Sequence, residues 1–225
     1  MSVPVPEILY IDNHVIAILK PPGIPAQEDE SGDLCIGDYV KAYLKEKYNK
    51  PGDVYLGVLH RLDRPVGGIM ILARTSKAAE RLSTQFQNRS IEKKYMALVE
   101  NIPRVSEKTL VHFIYKLQGK NIMKASSHEL PGSKKCTLRY KVIETGEHSA
   151  LLEVEPLTGR QHQIRVQLSE INCPIRGDIK YGSREPNPDK SICLFAQSIT
   201  FEHPTTHEKI TIKSPKPDSS WWKLD

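Results

Sequence analysis

No stretch of the 225-residue sequence approaches the roughly 18 consecutive apolar residues of a membrane-spanning helix. The N-terminal segment MSVPVPEILYIDN has neither the charged start nor the long apolar stretch of a secretion signal. Both absences predict a cytoplasmic protein with no membrane partner. Cysteine is scarce. Cys35, Cys136, Cys173 and Cys193 are scattered and form no C-x-x-C pair, which argues against a zinc site and, without a secretion signal, against a disulfide framework. Buried free thiols are expected instead. No Walker A loop and no G-x-G-x-x-G is present, which argues against the phosphate-cradling chemistries they serve. A G-x-S-x-G hydrolase elbow is missing, and the eight histidines include no H-E-x-x-H. His203 and His207 lie across a predicted turn, where simple exposure is expected rather than metal binding. With no internal repeat, low-complexity segment or long linker, residues 1–225 are expected to form a single domain.

What is present is an ordinary globular composition, 39% hydrophobic and 26% charged. The net charge of +5 and sequence pI near 8.9 suit a polyanionic partner without proving one. Basic residues bunch at KEKYNK, IEKKY, GSKK and GRQHQIR, although a solvated face is the commoner meaning of such a bunch.

ILYID and HVIAILK read as strands of a hairpin meeting at Asp12 and Asn13. The prolines and glycine of KPPGIPAQ predict a fixed loop. Ile36, Tyr39, Val40, Tyr43 and Leu44 recur at helical spacing, with Ser31 or Asp33 as a cap and an end near Asn49. VYLGVLH and IMILART, apolar on both faces, predict central strands. SKAAERLSTQFQNRS, capped by Thr75 or Ser76, predicts a helix with Leu82 and Phe86 turned inward. Further strands are expected at KKYMALVE, KTLVHFIY, KCTLRYKVIE, SALLEVEPL, SICLFAQSITFE and EKITIKS, the last two as a hairpin across HPTTH. Residues 116–135, rich in Lys, Gly and Ser, are expected to be a mobile loop or insertion. The sum is a sheet-dominated α+β domain.

Two polar stretches exceed what core-building requires. In HRLDRPVGG, residues 60–68, Asp63 stands among arginines between two apolar runs. It reads either as a turn residue satisfied by Arg61 and Arg64, with Pro65 and Gly67-Gly68 finishing the turn, or as part of an active site. Extended backbone over residues 60–63 would put Arg61 and Asp63 on one face. In LTGRQHQIRVQLSEINCPIRGDIKYG, residues 157–182, a helix capped at Thr158 would bury Ile164, Leu168 and Ile171 together. Arg165 would then share a face with His162 and Gln161 near an anion-favouring N-terminus; the plain alternative is a surface helix. An aspartate among arginines, an arginine-bearing helix and basic clusters with interspersed tyrosines suit binding an anionic polymer and acting on it.

HRLDRPVGGIMILART, IEKKYMALVE and TGRQHQIRVQLSEINCPIRGDIKYG, in this order, resemble the RluA-type pseudouridine synthases, a family of RNA-modifying isomerases. The resemblance runs from the opening hairpin through FEHPTTHEKI. Two departures are visible: Pro65-Val66-Gly67-Gly68 replaces the family's usual Thr-Ser-Gly, and Gln167 stands where histidine is frequent. The resemblance implies an α+β pseudouridine synthase catalytic fold, a long mixed, mostly antiparallel sheet flanked by helices. It further implies that Asp63 is the catalytic aspartate, attacking either ribose C1′ or the uracil ring, and that Arg165 pairs with it. Tyr95 would pack against the flipped uracil, Ile164 would form pocket wall, and Arg61 would fill the gap left by the extruded base. His60, Arg160, His162 and Gln163, from the same two motifs, are expected to bind substrate.

Isomerisation exchanges one bond for another and needs no external donor, so neither cofactor nor metal is expected. The expected partner is RNA, ribosomal and/or transfer; no protein partner is required and a monomer is expected. Many relatives carry an N-terminal S4 domain, for which a hairpin beginning near Ile8 leaves no room. Two rivals stay open: a catalytically silent RNA-binding module on the same scaffold, and a hydrolase that cleaves the N-glycosidic bond and releases uracil.

Overall fold

The first two apolar runs pair antiparallel as β1 (Glu7–Ile11) and β2 (Val15–Lys20) in a computed structural model that describes residues 6–119 and 121–225. Asp12 makes the turn, its Oδ1 accepting the amides of His14 and Val15 at 2.7 Å each. The chain folds into two compact units: residues up to Glu92 with Ala196–Pro215, and Lys93–Phe195 with Lys216–Asp225. Two of the crossings fall inside strands, β5 (Glu92–Glu100) and β10 (Leu194–Glu202), so no linker marks them in the sequence.

In the first unit β2 pairs antiparallel with β4 (Gly67–Ala73), and β10 pairs antiparallel with β11 (Lys209–Lys213), the expected hairpin across HPTTH. Every residue of β4 is buried, as its unbroken apolar run predicts. VYLGVLH yields less than expected, only the two-residue β3 (Gly57–Val58) against the end of β4. Beyond β3 the chain leaves the sheet: the His60 side chain accepts the Ile71 amide of β4, and Arg64 bonds to the loop after β2. Gly68 has φ +126°, and a Cβ there would lie 2.4 Å from the Ala196 backbone nitrogen, so only glycine lets β4 begin where it does.

Helix α1 (Ile36–Lys47) buries Ile36, Val40 and Leu44 as its periodicity predicts, but its cap is Cys35, whose N–H donates to Asp38 Oδ2 at 2.9 Å. Ser31 and Asp33 are engaged elsewhere. Helix α2 (Ser76–Gln87) is capped by Thr75, whose hydroxyl accepts the Ala78 amide at 3.2 Å. Ala78 and Leu82 enter a core with Val15, Ile69, Ile71 and Phe201, where each large side chain contributes about 1.5–3 kcal/mol by burial.

The second unit is an antiparallel sheet in the order β5-β9-β8-β6-β7, with β6 (Glu107–Lys116), β7 (Met123–Ser126), β8 (Lys134–Thr145) and β9 (Ser149–Pro156). Residues 116–135 are therefore not a loop throughout: Met123–Ser126 pair with Phe113–Lys116, while Lys120 lies outside the described residues. Helix α3 (Gln163–Glu170) packs on β6 and β7 around Ile114, Cys136, Val166 and Tyr181. It starts later than expected. His162, at φ +52°, takes the cap position, because the Thr158 hydroxyl accepts from the Thr137 amide (2.9 Å) and donates to Gln163 Oε1 (2.7 Å). Nor is α3 a surface helix, since every residue from Gln163 to Leu168 is buried.

The described residues give the expected α+β fold, a mixed and mostly antiparallel set of eleven strands with three α-helices. None of these helices is long and apolar enough to cross a membrane.

Candidate active site

Asp63 lies outside the strands in a turn closed by the Val66 amide, which donates to the Asp63 carbonyl at 2.9 Å. Leu62 is buried, Arg61 exposed and Asp63 half-buried. That alternation is the one expected of extended chain, with Arg61 and Asp63 on the face opposite Leu62. His60 anchors the segment: its Nε2 accepts the Ile71 amide at 3.1 Å and its ring stacks on Phe86 with centroids 4.9 Å apart.

The loop after β2 grips the other side of this turn. The Gly23 amide donates to the Arg64 carbonyl at 2.7 Å, and the Lys20 ammonium donates to the carbonyls of Pro21 (2.9 Å), Ile24 (2.8 Å) and Arg64 (3.4 Å). Lys20 is 0% exposed, and burial pushes its pKa down to about 7, with the Asp63 charge acting against that fall and Arg64 adding to it. The Arg64 guanidinium is taken up by Gly23 O (2.9 Å), Ser31 Oγ (3.0 Å) and Asp33, with Asp29 at 3.7 Å. The turn, one of the two readings of this stretch, is present, but the Arg64 guanidinium is engaged by this loop. Sequence reasoning passed over Lys20, whose only signal was a lysine closing an apolar strand just before two prolines.

In the second unit Tyr95 sits on β5 opposite Val154, half-buried and on the same face as Lys93, which burial pushes below the ordinary lysine range. Arg165 is held within α3's own unit. Its Nε donates to Asp178 Oδ2 at 2.7 Å and its Nη2 to Asp178 Oδ1 at 2.8 Å, a two-pronged pair with side-chain exposures of 6% and 1%. The guanidinium also lies over the Tyr181 ring, 4.9 Å from its centroid. The Tyr181 hydroxyl accepts the Met123 amide at 3.0 Å and stands 2.7 Å from His162 Nδ1, so one phenol fixes β7, His162 and Arg165. Asp178 and Tyr181, both inside IRGDIKYG, were read without a role. Their partners lie more than ten residues away, so spacing gave no signal. Gly177, at φ +86°, permits the turn into Asp178, since a Cβ there would meet Asn187 Nδ2 at 2.5 Å.

Of the other expected site residues, Ile164 is buried and Arg160 is exposed. Gln163 is buried, its Oε1 accepting from Thr158 and the Arg160 amide (3.1 Å) and its Nε2 donating to Thr137 O (3.0 Å), so it shapes the segment carrying Arg160. His203 departs from the expectation of exposure: it is buried, with Nε2 2.7 Å from Asp12 Oδ2, whereas His207 is exposed. Chemically the arrangement offers a carboxylate on a turn anchored from several directions, an exposed arginine on its face, and, in the second unit, a rigidly held guanidinium and a tyrosine on a sheet face.

A family model described as RNA pseudouridylate synthase matches residues 14–170. The ribosomal large subunit pseudouridine synthase C of Vibrio parahaemolyticus is 28% identical over 214 residues, covering 92% of this chain and 65% of that protein. The chain thus spans slightly less than two thirds of that curated relative's length. The tRNA pseudouridine synthase C of Haemophilus ducreyi is 30% identical over 238 residues, covering 97% of this chain and 93% of that protein. Among solved structures, Human RNA Pseudouridylate Synthase Domain Containing 4 superposes with a TM-score of 0.77 at 26% identity, over 94% of this chain and 89% of that chain. The matched residues carry the Asp63 turn, β5 and all of α3, and the resemblance carried by HRLDR and TGRQHQIR is borne out: the chain belongs to the RNA pseudouridylate synthase family.

Proposed function

We propose that this chain is an RNA pseudouridine synthase that isomerises uridines in ribosomal and/or transfer RNA, working as a single catalytic domain and a monomer in the cytoplasm. The observation that carries this reading is Asp63 on a turn whose carbonyls and flanking residues are bound by Val66, Gly23, Lys20 and His60. A nucleophile needs that fixity, and a free loop does not supply it. Asp63 attacks ribose C1′ or the uracil ring and forms a bond that breaks again before product is released; the N1–C1′ bond breaks, the C5–C1′ bond forms, the C5 proton leaves and N1 takes up a proton in its place. No net oxidation occurs and no cofactor or metal takes part. Tyr95 and Arg165 supply the aromatic and cationic groups that the reaction uses, and Ile164 supplies apolar wall. Extruding a base from its stack costs a few kcal/mol, which aromatic packing and filling of the gap by Arg61 offset. Arg160 and His162 contact the substrate, while His60 and Gln163 serve it by holding the two motifs in shape. The relatives' names, one a ribosomal large subunit pseudouridine synthase and one a tRNA pseudouridine synthase, support the substrate class.

Asp63→Asn tests the reading. The amide is nearly isosteric, so melting temperature and RNA affinity should hold, while tritium release from C5-labelled uracil in RNA should vanish because a neutral amide is a poor nucleophile. Normal release by a well-folded Asp63→Asn protein overturns the assignment. RNA binding without release by the unaltered chain favours a silent binding module, and free uracil among the products favours a hydrolase.

A further inference from the structure

Arg64 directly follows Asp63 in a chain of net charge +5, and its side chain is 43% exposed, the ordinary description of a phosphate contact. Its surroundings point elsewhere. Gly23 closes a reciprocal ring with it: the Gly23 amide donates to the Arg64 carbonyl at 2.7 Å while the Gly23 carbonyl accepts from Arg64 Nε at 2.9 Å. Gly23 has φ +89°, which lets both of its polar groups face one partner. The remaining guanidinium nitrogens meet Ser31 Oγ, Asp33 Oδ2 and, at 3.7 Å, Asp29 Oδ2. Those three acceptors are themselves assembled. Ser31 donates its hydroxyl to Asp29 Oδ1 (2.5 Å) and its amide to the same oxygen (3.0 Å), and Ser31 Oγ lies 3.0 Å from Asp33 Oδ2. An RNA phosphate would have to displace two carboxylates from this fork.

We propose that Arg64 is a positioning residue: clamped by the loop Asp29–Asp33, it holds the turn that carries Asp63 and does not contact RNA. The inference rests on the pseudouridine synthase reading above. Its physical content is that a planar guanidinium bound on several sides to one loop fixes the main chain from which it springs, and that displacing a reacting group by about 1 Å can cost on the order of 100-fold in rate.

The test measures tritium release and RNA binding as a function of salt for Arg64→Ala, Asp33→Asn and the double variant, with unaltered protein alongside. Both single variants should lower kcat, Arg64→Ala by about 10- to 100-fold, with KM and the slope of log K against log salt unchanged. The double variant should be no slower than Arg64→Ala, since both break one link. If Arg64→Ala fails to fold, Asp33→Asn alone decides, through the same split between kcat and KM. Unchanged kcat in the folded variants, or weaker RNA binding with a salt slope flattened by roughly 0.7–0.9, the range for one lost phosphate contact on a single strand or a duplex, overturns the proposal. Failure of the unaltered protein to release tritium would instead sink the underlying functional reading, so the two failures are distinguishable.

Discussion

Replacing Asp178 by asparagine should destabilise the protein far more than loss of an ordinary ion pair. Arg165 and Asp178 meet through two N–H···O bonds of 2.7 and 2.8 Å, with almost no solvent on either side chain. Asparagine keeps one acceptor oxygen but presents an NH2 group to the guanidinium where a carboxylate oxygen had been, and the buried pair loses its negative member. Removing one member of a buried pair costs about 3–5 kcal/mol, most of it the penalty of the charge left behind. For a chain of this size each kcal/mol moves the melting temperature by about 2–4 °C, so a fall of roughly 6–20 °C is expected. Urea denaturation and calorimetry of the unaltered protein and Asp178→Asn measure it directly. The double variant Arg165→Met with Asp178→Leu separates the causes: with both members of this pair replaced by apolar side chains, stability should return most of the way. A loss below about 1 kcal/mol for Asp178→Asn, the range of exposed pairs, would refute the reasoning, as would a double variant no more stable than the single.

Lys20 and the cysteines supply two further expectations. Because burial lowers the Lys20 pKa from 10.5 to about 7, the unfolded chain binds more protons than the folded one between those values. The cost of burying Lys20 is therefore complete below pH 7 and is relieved as pH rises, by about 2–3 kcal/mol between pH 7 and pH 9. Denaturation of the unaltered protein and of Lys20→Met across that range should show the rise only in the former, and parallel curves would mean that the three carbonyls keep the ammonium charged. Of the four thiols, Cys136, Cys173 and Cys193 are buried, with Cys173 pushed up to about 11 and Cys193 to about 12, whereas Cys35 is partly exposed. An aromatic disulfide reagent at pH 8 should titrate one thiol in the native protein and four after denaturation; two or more fast thiols before unfolding would contradict the burial.

The elements legible in the sequence are those whose causes lie within a few residues. Asp12 turns a hairpin by binding amides two and three positions ahead, Thr75 caps α2 through Ala78, and the apolar run of β4 declares a strand covered on both faces. The motif carrying Asp63 was legible through the family resemblance of HRLDR and TGRQHQIR, whereas the residues alone left a turn and an active site both open. What sequence spacing could not reach was the choice among partners that tertiary folding brings together. Thr158 looked like a cap, but the Thr137 amide from β8 claims its hydroxyl, and α3 starts later with His162 in the left-handed region. Ser31 and Asp33 looked like caps as well, and Arg64, some thirty residues on, takes them. Arg165 stood near too many polar groups for its countercharge to be read, and only the turn that Gly177 allows puts Asp178 against it. Local propensity is set by neighbours that the chain keeps adjacent in every conformation, so the sequence alone determined the β1–β2 and β10–β11 hairpins, the apolar faces of α1 and α2, and the motif in which the catalytic candidate lies. Ion pairs and buried hydrogen bonds exist only once distant segments have met and water has left, so tertiary structure alone decided how Asp63 is anchored and what holds Arg165.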